Sequence, residues 1–416
     1  MTLSGAGREV PVVRAWDPLL LGIIGAALLA RLAAAVVVPN AVLAQLFEYE
    51  GVALSLLRGE GFVTDYGGVP HRALVHPLYP LLCAAVYWVV GHSSLLAMHV
   101  VQSAAVIPAA WLSFRLGSDL AGRSAGLLAA AGVAFHPALL VFSLRRHPLW
   151  IDFVLFLATL LATYRLRSFP TTRRLVLVGV LFGVAMLSRS TVAIFMGAAC
   201  LWLAWQWRAP LAQSWGRAAT IVGVALLVAA PWLVRNAVVF QRPVAFVSTD
   251  GQNLWIGNNP AAIGGALTAD GRDMLNADPA ITAAIKGLGE AERQDVYRQA
   301  ALRYIASHPG TAVVNYGRKL WSFLFWSDQT GAWYPAWFRA PYLAFYLMLL
   351  AAAVLGGYRL VRAGDGPAVV LCAAFFFSVG LLQSVFYMEG RHRWSVESAL
   401  VVLAACGIVS LFARKV

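Results

Sequence analysis

Apolar residues run in long uninterrupted stretches along this chain, separated by small arginine clusters or by longer polar segments. Stretches of spanning length, about 17–25 residues for a helix crossing ~30 Å of hydrocarbon, occur near 17–39, 94–115, 122–143, 149–166, 217–236, 337–358, 367–388 and 394–413. A further apolar stretch over 174–207 is broken only at Ser188-Arg189-Ser190, which predicts a tight pair of helices with Arg189 at the turn. The pattern therefore predicts about ten transmembrane helices. Segments 78–91 and 313–327 are too short to span. They carry Tyr79, Tyr87 and Trp88 in the first, and Arg318, Lys319, Trp321 and Trp326 in the second, as interfacial segments do.

The polar segments also have periodicity. AQLFEYEGVALSLLRGEGF (Ala44 to Phe62) predicts a short amphipathic helix with Tyr49, Ala53 and Leu56 on one stripe, stopped by Gly59. Glu48 and Glu50 lie in its first turn, and such a helix would hold carboxylates at a membrane surface. DGQNLWIGNNP (Asp250 to Pro260) is rich in glycine and asparagine and is expected to be a turn-rich loop. Glu290 to Ser307 predicts an amphipathic helix with Val296, Ala300, Tyr304 and Ile305 on one face, ended by His308-Pro309-Gly310. No internal repeat and no low-complexity tract interrupts the chain.

Composition fixes the class. Apolar residues make up 60% and charged residues 12% of the chain, with a mean hydropathy of +0.71. A soluble domain has roughly 45–50% and about 25%, so this is an all-α polytopic membrane protein. The net charge of +13 does not indicate nucleic acid, because the basic residues sit in small clusters between spans. With the N-terminus inside, the cytoplasmic turns collect Arg8 and Arg14, Arg115 and Arg123, Arg165 to Arg174, Arg208 and Arg217, Arg359 and Arg362, and Arg414 with Lys415. That is the positive-inside pattern. It puts both termini in the cytoplasm and the polar segments 40–93, 143–148, 237–336 and 389–393 outside. The N-terminal stretch is too long for a cleaved signal's apolar core. Cys83, Cys200, Cys372 and Cys406 lie in apolar stretches and read as core residues rather than disulfide or metal ligands.

Several blocks, in order, carry a family resemblance: FEYEGVALSLLRGEGF, HPLYPLL (His76 to Leu82), LSRST (Leu187 to Thr191), PWLVRNAVVFQRPVAF with LWIGNNPAAIGG, ALRYIASHPG, and GRHRWSVESALVVLAA (Gly390 to Ala405). Together they resemble bacterial GT-C glycosyltransferases of the family 39-like group, near the protein O-mannosyltransferases and the lipid A aminoarabinose transferases. The resemblance implies a GT-C-type helical bundle with interfacial helices and a long extracytoplasmic loop. The expected modules are a catalytic transmembrane part (1–236, with the first outer loop 40–93), a loop subdomain (237–336) and C-terminal helices (337–416). It also implies an enzyme of the bacterial inner membrane. Such an enzyme would take a polyprenyl-phosphate-linked sugar as donor and a glycan, lipid or protein outside the cytoplasm as acceptor.

That reaction needs a carboxylate to take the acceptor's proton and cations to hold the leaving phosphate, a task suited to arginine's planar fork. The resemblance points to Glu48 as the base, because the family's acidic residue lies just before the tyrosine in this context. Glu50 is the rival; two residues apart on a helix, the pair point in different directions. Where many relatives have an acid, this chain reads SLRRHPLWID, so Arg145, Arg146 and His147 suggest a cationic phosphate pocket, or anchors to anionic lipid headgroups. The same exchange argues against a two-carboxylate metal site, and no residue pattern supports a divalent metal or another cofactor. Arg189 at its turn, and Arg391 and Arg393 on the outer face, are the other phosphate candidates. An ion pair of the latter two with Glu389 or Glu397 is the structural alternative. Asn258 and Asn259 are candidates for sugar hydroxyls, and Arg31 reads as a buried contact without a catalytic part. Two other classes share this hydropathy: a lipid or solute transporter or flippase, and a non-catalytic subunit that keeps the same fold. The concentration of charge on one face counts against the first.

Overall fold

The computed structural model describes residues 17–37, 48–326 and 336–412. Phe47, the terminal basic residues Arg8, Arg14, Arg414 and Lys415, and loop residues 327–335 lie outside the described part.

The chain opens with α1 (Pro18–Val37), then α2 (Glu48–Leu57) and a hairpin of β1 (Thr64–Tyr66) antiparallel to β2 (Val69–His71). Next come α3 (Leu78–Val90), α4 (Leu95–Ala104) continuing into α5 (Val106–Ala121), α6 (Arg123–Ala134), α7 (Pro137–Ser143), α8 (Leu149–Leu166), α9 (Thr172–Ser188), α10 (Val192–Trp207) and α11 (Leu211–Phe240). The outer loop holds α12 (Asp250–Gly257), α13 (Pro279–Ala284), α14 (Glu290–Ser307) and α15 (Pro309–Leu324). The chain then returns through α16 (Ala336–Arg362), α17 (Gly366–Gln383), α18 (Gly390–Trp394) and α19 (Glu397–Phe412).

Helices occupy all ten predicted spanning positions. Six of these units are long and apolar enough to cross a membrane, and a seventh forms if α6 and α7, bent by 48°, count as one. The others, α9, α10 and α19, have 17, 16 and 16 residues. At ~1.5 Å per residue they are slightly short of a full hydrocarbon thickness. Large apolar side chains such as Leu29, Leu201, Leu227 and Val354 are exposed around the bundle. In a membrane these face lipid rather than water. α3, with 13 residues, is too short to span, as its sequence predicts, and α15 begins at Pro309, directly after α14.

The two ends of the bundle differ. At one end, ion pairs join Arg123 to Asp17, Arg165 to Asp119 and Arg167 to Asp365. Every helix pair here turns in a short loop. At the other end sit α2, the hairpin, α12 to α15, α18 and the turns at 144–148 and 189–191, all segments with an outer assignment from charge. One link between them was not visible in the sequence. The buried carboxylate of Glu290, at the start of α14, accepts the backbone N–H groups of Arg72 and Ala73 at 2.6 and 3.0 Å, and the Ser248 hydroxyl.

Two expectations need correction. Asp250–Gly257 is a helix rather than a turn-rich loop. Its glycines serve close approach: a Cβ on Gly251 would overlap the Gln294 carbonyl, and one on Gly257 the Phe386 carbonyl. Docking of α12 on α14 and on the segment after α17 therefore outweighs the poor helix propensity of the segment. The face of α14 is also rotated. Glu290, Gln294, Tyr297, Ala300 and Ala301 are buried, whereas Val296, Tyr304 and Ile305 are only half-buried. Tyr297, Ala300 and Ala301 pack with Trp255 of α12 into a small core of the outer loop. α2 matches its prediction at its end: the chain leaves it through Gly59 at φ +76°.

Candidate functional site

The loops and short helices at this end enclose a cavity of about 710 Å³, within the range of ligand pockets. α2 contributes Glu48 and Tyr49, the segment before α3 contributes His76, and the α7–α8 turn contributes Arg145 and His147. The α9–α10 turn brings Ser188 to Thr191, α12 brings Asp250, Gln252, Asn253 and Ile256, and the α17–α18 segment brings Gln383, Tyr387, Glu389, Arg391 and His392.

Of the acids, Glu48 stands apart. It is half-buried on the cavity wall and has no hydrogen-bonding or ionic partner among the described residues. Tyr49 fixes the helix that carries it, packing edge-on against Tyr79 at 5.3 Å and His147 at 5.9 Å. Glu50 points away from the cavity, as their helical spacing predicts. It is buried, accepts the Tyr87 hydroxyl at 2.9 Å and forms an ion pair with Arg146. The remaining acids of the cavity each have a partner. Asp250 pairs with Arg298 at 2.7 Å, Asp273 accepts the Leu275 N–H at 2.9 Å, and Glu389 pairs with Arg391 at 2.8 Å.

The candidate cations separate in the same way. Arg145, Arg189 and Arg391 line the cavity. Arg145 lies over the Phe142 ring at 5.8 Å. Arg189 is aimed by fully buried Asp152, which accepts its Nε–H at 2.7 Å and the Ser188 hydroxyl at 2.5 Å. Arg146 is not on the wall; Glu50 neutralises it. Arg393 is buried behind the wall, donating to Glu397 at 2.6 Å and to the carbonyls of Phe323 and Phe325 at 2.8 Å. Its role is the structural alternative noted from sequence. Asn258 and Asn259 also lie off the cavity. Their amide groups donate to the carbonyls of Leu254 and Val385, and of Trp255 and Ile256, finishing α12.

His147 does not add a cation. Burial, followed by Arg391, Arg189 and Arg145, pushes its pKa well below the usual imidazole value, so it is neutral at physiological pH. Burial, then Arg391 and Arg189, push His392 well below that value too, and burial with Arg189 pushes His76 down to about 3. His76, His392, Gln252 and Asn253 are wall residues that the sequence did not single out. His76 stood in plain view in HPLYP, but its partner Ser190 lies 114 residues away.

The chemistry of this enclosure follows. It offers one carboxylate without a partner among the described residues, three guanidinium groups and neutral imidazoles, in a partly open cavity at one end of the bundle. An anion is favoured on the arginine side and a proton acceptor is ready at Glu48. Among the described residues no three His, Cys, Asp or Glu side chains group as a metal site. Removing Arg391 should cost the cavity a charge-assisted contact to an anion, about 1.5–3 kcal/mol. Arg391→Ala is expected to show that loss in phosphate-binding titrations, with Arg391→Lys recovering only part of it. Unchanged phosphate binding in Arg391→Ala would contradict the assignment.

Residues 72–234 match the family model described as dolichyl-phosphate-mannose-protein mannosyltransferase. No curated protein matches the sequence. Among solved structures, the chain is similar to the archaeal oligosaccharyltransferase AglB from Archaeoglobus fulgidus, solved with an inhibitory peptide and a dolichol-phosphate. The TM-score is 0.56 at 13% identity, over 95% of this chain and 50% of that one. The apo form of the Archaeoglobus fulgidus oligosaccharyltransferase gives 0.51 at 12% identity, over 98% and 52%. ArnT from Cupriavidus metallidurans, bound to undecaprenyl phosphate, gives 0.43 at 13% identity, over 94% and 78%. The chain spans about half the length of the oligosaccharyltransferases it matches. Its fold is the GT-C type, in a multi-pass helical membrane protein.

Proposed function

We propose that this protein is an integral membrane glycosyltransferase of the bacterial inner membrane, taking a polyprenyl-phosphate-linked sugar and passing the sugar to an acceptor outside the cytoplasm. One observation carries the reading: among the described residues, the one cavity carboxylate with neither a hydrogen-bond nor an ion-pair partner shares the cavity with three arginines. In the reaction, an acceptor hydroxyl attacks the anomeric carbon while its proton passes to Glu48. The carbon–oxygen bond to phosphate breaks, and the electron pair leaves on polyprenyl phosphate, whose gained charge Arg145, Arg189 and Arg391 stabilise. A phosphate leaving group needs no general acid. The fold shared with an oligosaccharyltransferase solved with dolichol-phosphate supports the donor class. The segment of the mannosyltransferase family match, 72–234, contains His76, Arg145 and Arg189.

Purified protein, given a lipid-linked sugar and candidate acceptors, should release polyprenyl phosphate. A transporter would move the lipid without cleaving it, and a non-catalytic subunit would do neither. No release with any lipid-linked sugar of the host would end the transferase reading.

The proposal requires the cavity to face away from the cytoplasm. Single cysteines placed at 168–174 should react from the cytoplasmic side, and those at 260–290 from the outside. The background should lack Cys83, Cys200, Cys372 and Cys406, all buried. Labelling of 260–290 only from the cytoplasm would put the site in the wrong compartment.

A further inference from the structure

His392 is buried in the cavity wall, and its ring is oriented by a capping box on α18. The Glu389 side chain accepts from the backbone at the third helical position, and the Glu389 N–H donates to His392 Nδ1 at 3.1 Å. A backbone amide can only donate, so Nδ1 carries the lone pair and Nε2 carries the hydrogen. His76 is fixed by the same logic through its other nitrogen. The Ser190 N–H donates to His76 Nε2 at 3.0 Å, which leaves the hydrogen on Nδ1. Each imidazole is therefore a neutral donor with its acceptor lone pair already used.

Each is also coupled to an arginine. His392 follows Arg391 directly, and His76 is held by Ser190, which follows Arg189. All four side chains line the cavity. Burial and the arginines keep both rings uncharged. A ligand for two guanidinium groups and two imidazole N–H groups must offer acceptors and no protons. Sugar hydroxyls, which must also donate, are a poor match; the oxygens of a phosphate monoester are a good one.

We infer that His392 and His76 are uncharged N–H donors to the phosphate that leaves, each paired with an arginine, Arg391 and Arg189. This rests on the transferase reading and specifies how its leaving group is held. Neutral donors add hydrogen bonds without binding the donor's phosphodiester monoanion as strongly as two further cations would. Their contribution therefore grows as the phosphate gains charge.

The capping box supplies the test, because glutamine and glutamate are the residues that ordinarily occupy its third helical position. Both His392→Gln and His392→Glu can keep the cap. Only Gln still presents an N–H to the cavity, whereas Glu presents a carboxylate. Binding of polyprenyl phosphate to full-length protein in nanodiscs should weaken about tenfold or more in His392→Glu, the scale of a charged-group hydrogen bond. His392→Gln should recover most of that loss. Inorganic phosphate should compete in the wild type and phosphate-free polyprenol should not, which separates headgroup from tail binding. Wild-type affinity in His392→Glu, or an equal loss in both variants, would overturn the inference.

Should His392→Glu fail to fold, histidine ¹⁵N spectra of the wild type decide instead, with the His392 signals assigned by their loss in His392→Gln. A neutral ring with the proton on Nε2, and an Nε2–H signal that moves on adding polyprenyl phosphate, is expected. A ring protonated on both nitrogens, or unmoved by the ligand, would overturn it. Wild-type protein that binds no polyprenyl phosphate would instead remove the transferase reading itself.

Discussion

Glu48→Gln should express and fold normally, keep its affinity for the lipid donor, and turn over about 10²–10⁴-fold more slowly. The substitution keeps the volume and most hydrogen bonding while removing the basicity. The size of the effect follows from exclusion. Asp250, Asp273 and Glu389 are tied to arginine or to backbone N–H groups, and the lone pairs of His76, His147 and His392 already accept from backbone amides. Among the described residues, Glu48 is the wall carboxylate with neither a hydrogen bond nor an ion pair. Glu48 is half-buried beside Tyr49 on the cavity wall. Single-turnover measurement with a saturating lipid-linked sugar separates chemistry from binding. A Glu48→Gln enzyme that turns over like the wild type would leave the fold standing and the base assignment gone. Glu50→Gln, in contrast, breaks the ion pair with Arg146. Its first effect should be on stability.

The largest loss of stability is expected at Glu397, at the head of α19. Its fully buried carboxylate accepts from Arg393 at 2.6 Å, the Tyr342 hydroxyl at 2.6 Å and His136 Nε2 at 2.7 Å. Glu397→Gln leaves the Arg393 guanidinium buried with carbonyls but without an anion. Breaking such a pair from one side costs about 3–5 kcal/mol, because the remaining charge stays desolvated. Removing both charges at once avoids that penalty, so Arg393→Met with Glu397→Gln should be more stable than Glu397→Gln alone. Thermal unfolding in one detergent, across the two single variants and the double, measures the coupling. A Glu397→Gln protein as stable as the wild type would show that the pair does not hold α18, α19 and the α15 end together.

The two experiments bear on what a sequence can reveal. Spans were legible because a membrane asks for length and apolarity, which are local properties. The break at 188–190 falls where α9 ends at Ser188 and α10 begins at Val192. The division of labour within charged clusters was not legible. Arg391 and Arg393 are two residues apart, so a helix points them in different directions, and only the packing of α18 decides which reaches the cavity. Glu50 and Glu48 pose the same question, and there the spacing did predict divergence. Partners across 96 residues, as for Glu50 and Arg146, or across 114, as for His76 and Ser190, left no local trace. α12 was misread for another reason. Glycine and asparagine usually mark turns, but here glycine admits neighbouring backbone and asparagine ends the helix.

The fastening of α12 has a consequence for how this site could change. Gly251 and Gly257 lock the two ends of the helix against Gln294 and Phe386, while Gln252 and Asn253 between them look into the cavity. A side chain at either glycine would overlap that neighbouring backbone and should displace the wall. The Gln252 backbone N–H, not its side chain, bonds Gln294, so that side chain is the part of α12 best placed to be exchanged; Asn253 also bonds the Thr249 hydroxyl at 3.4 Å. That arrangement is suited to divergence: a fixed frame with an exchangeable face, along which altered ligand preference could arise by substitution while Glu48, on α2, is left in place.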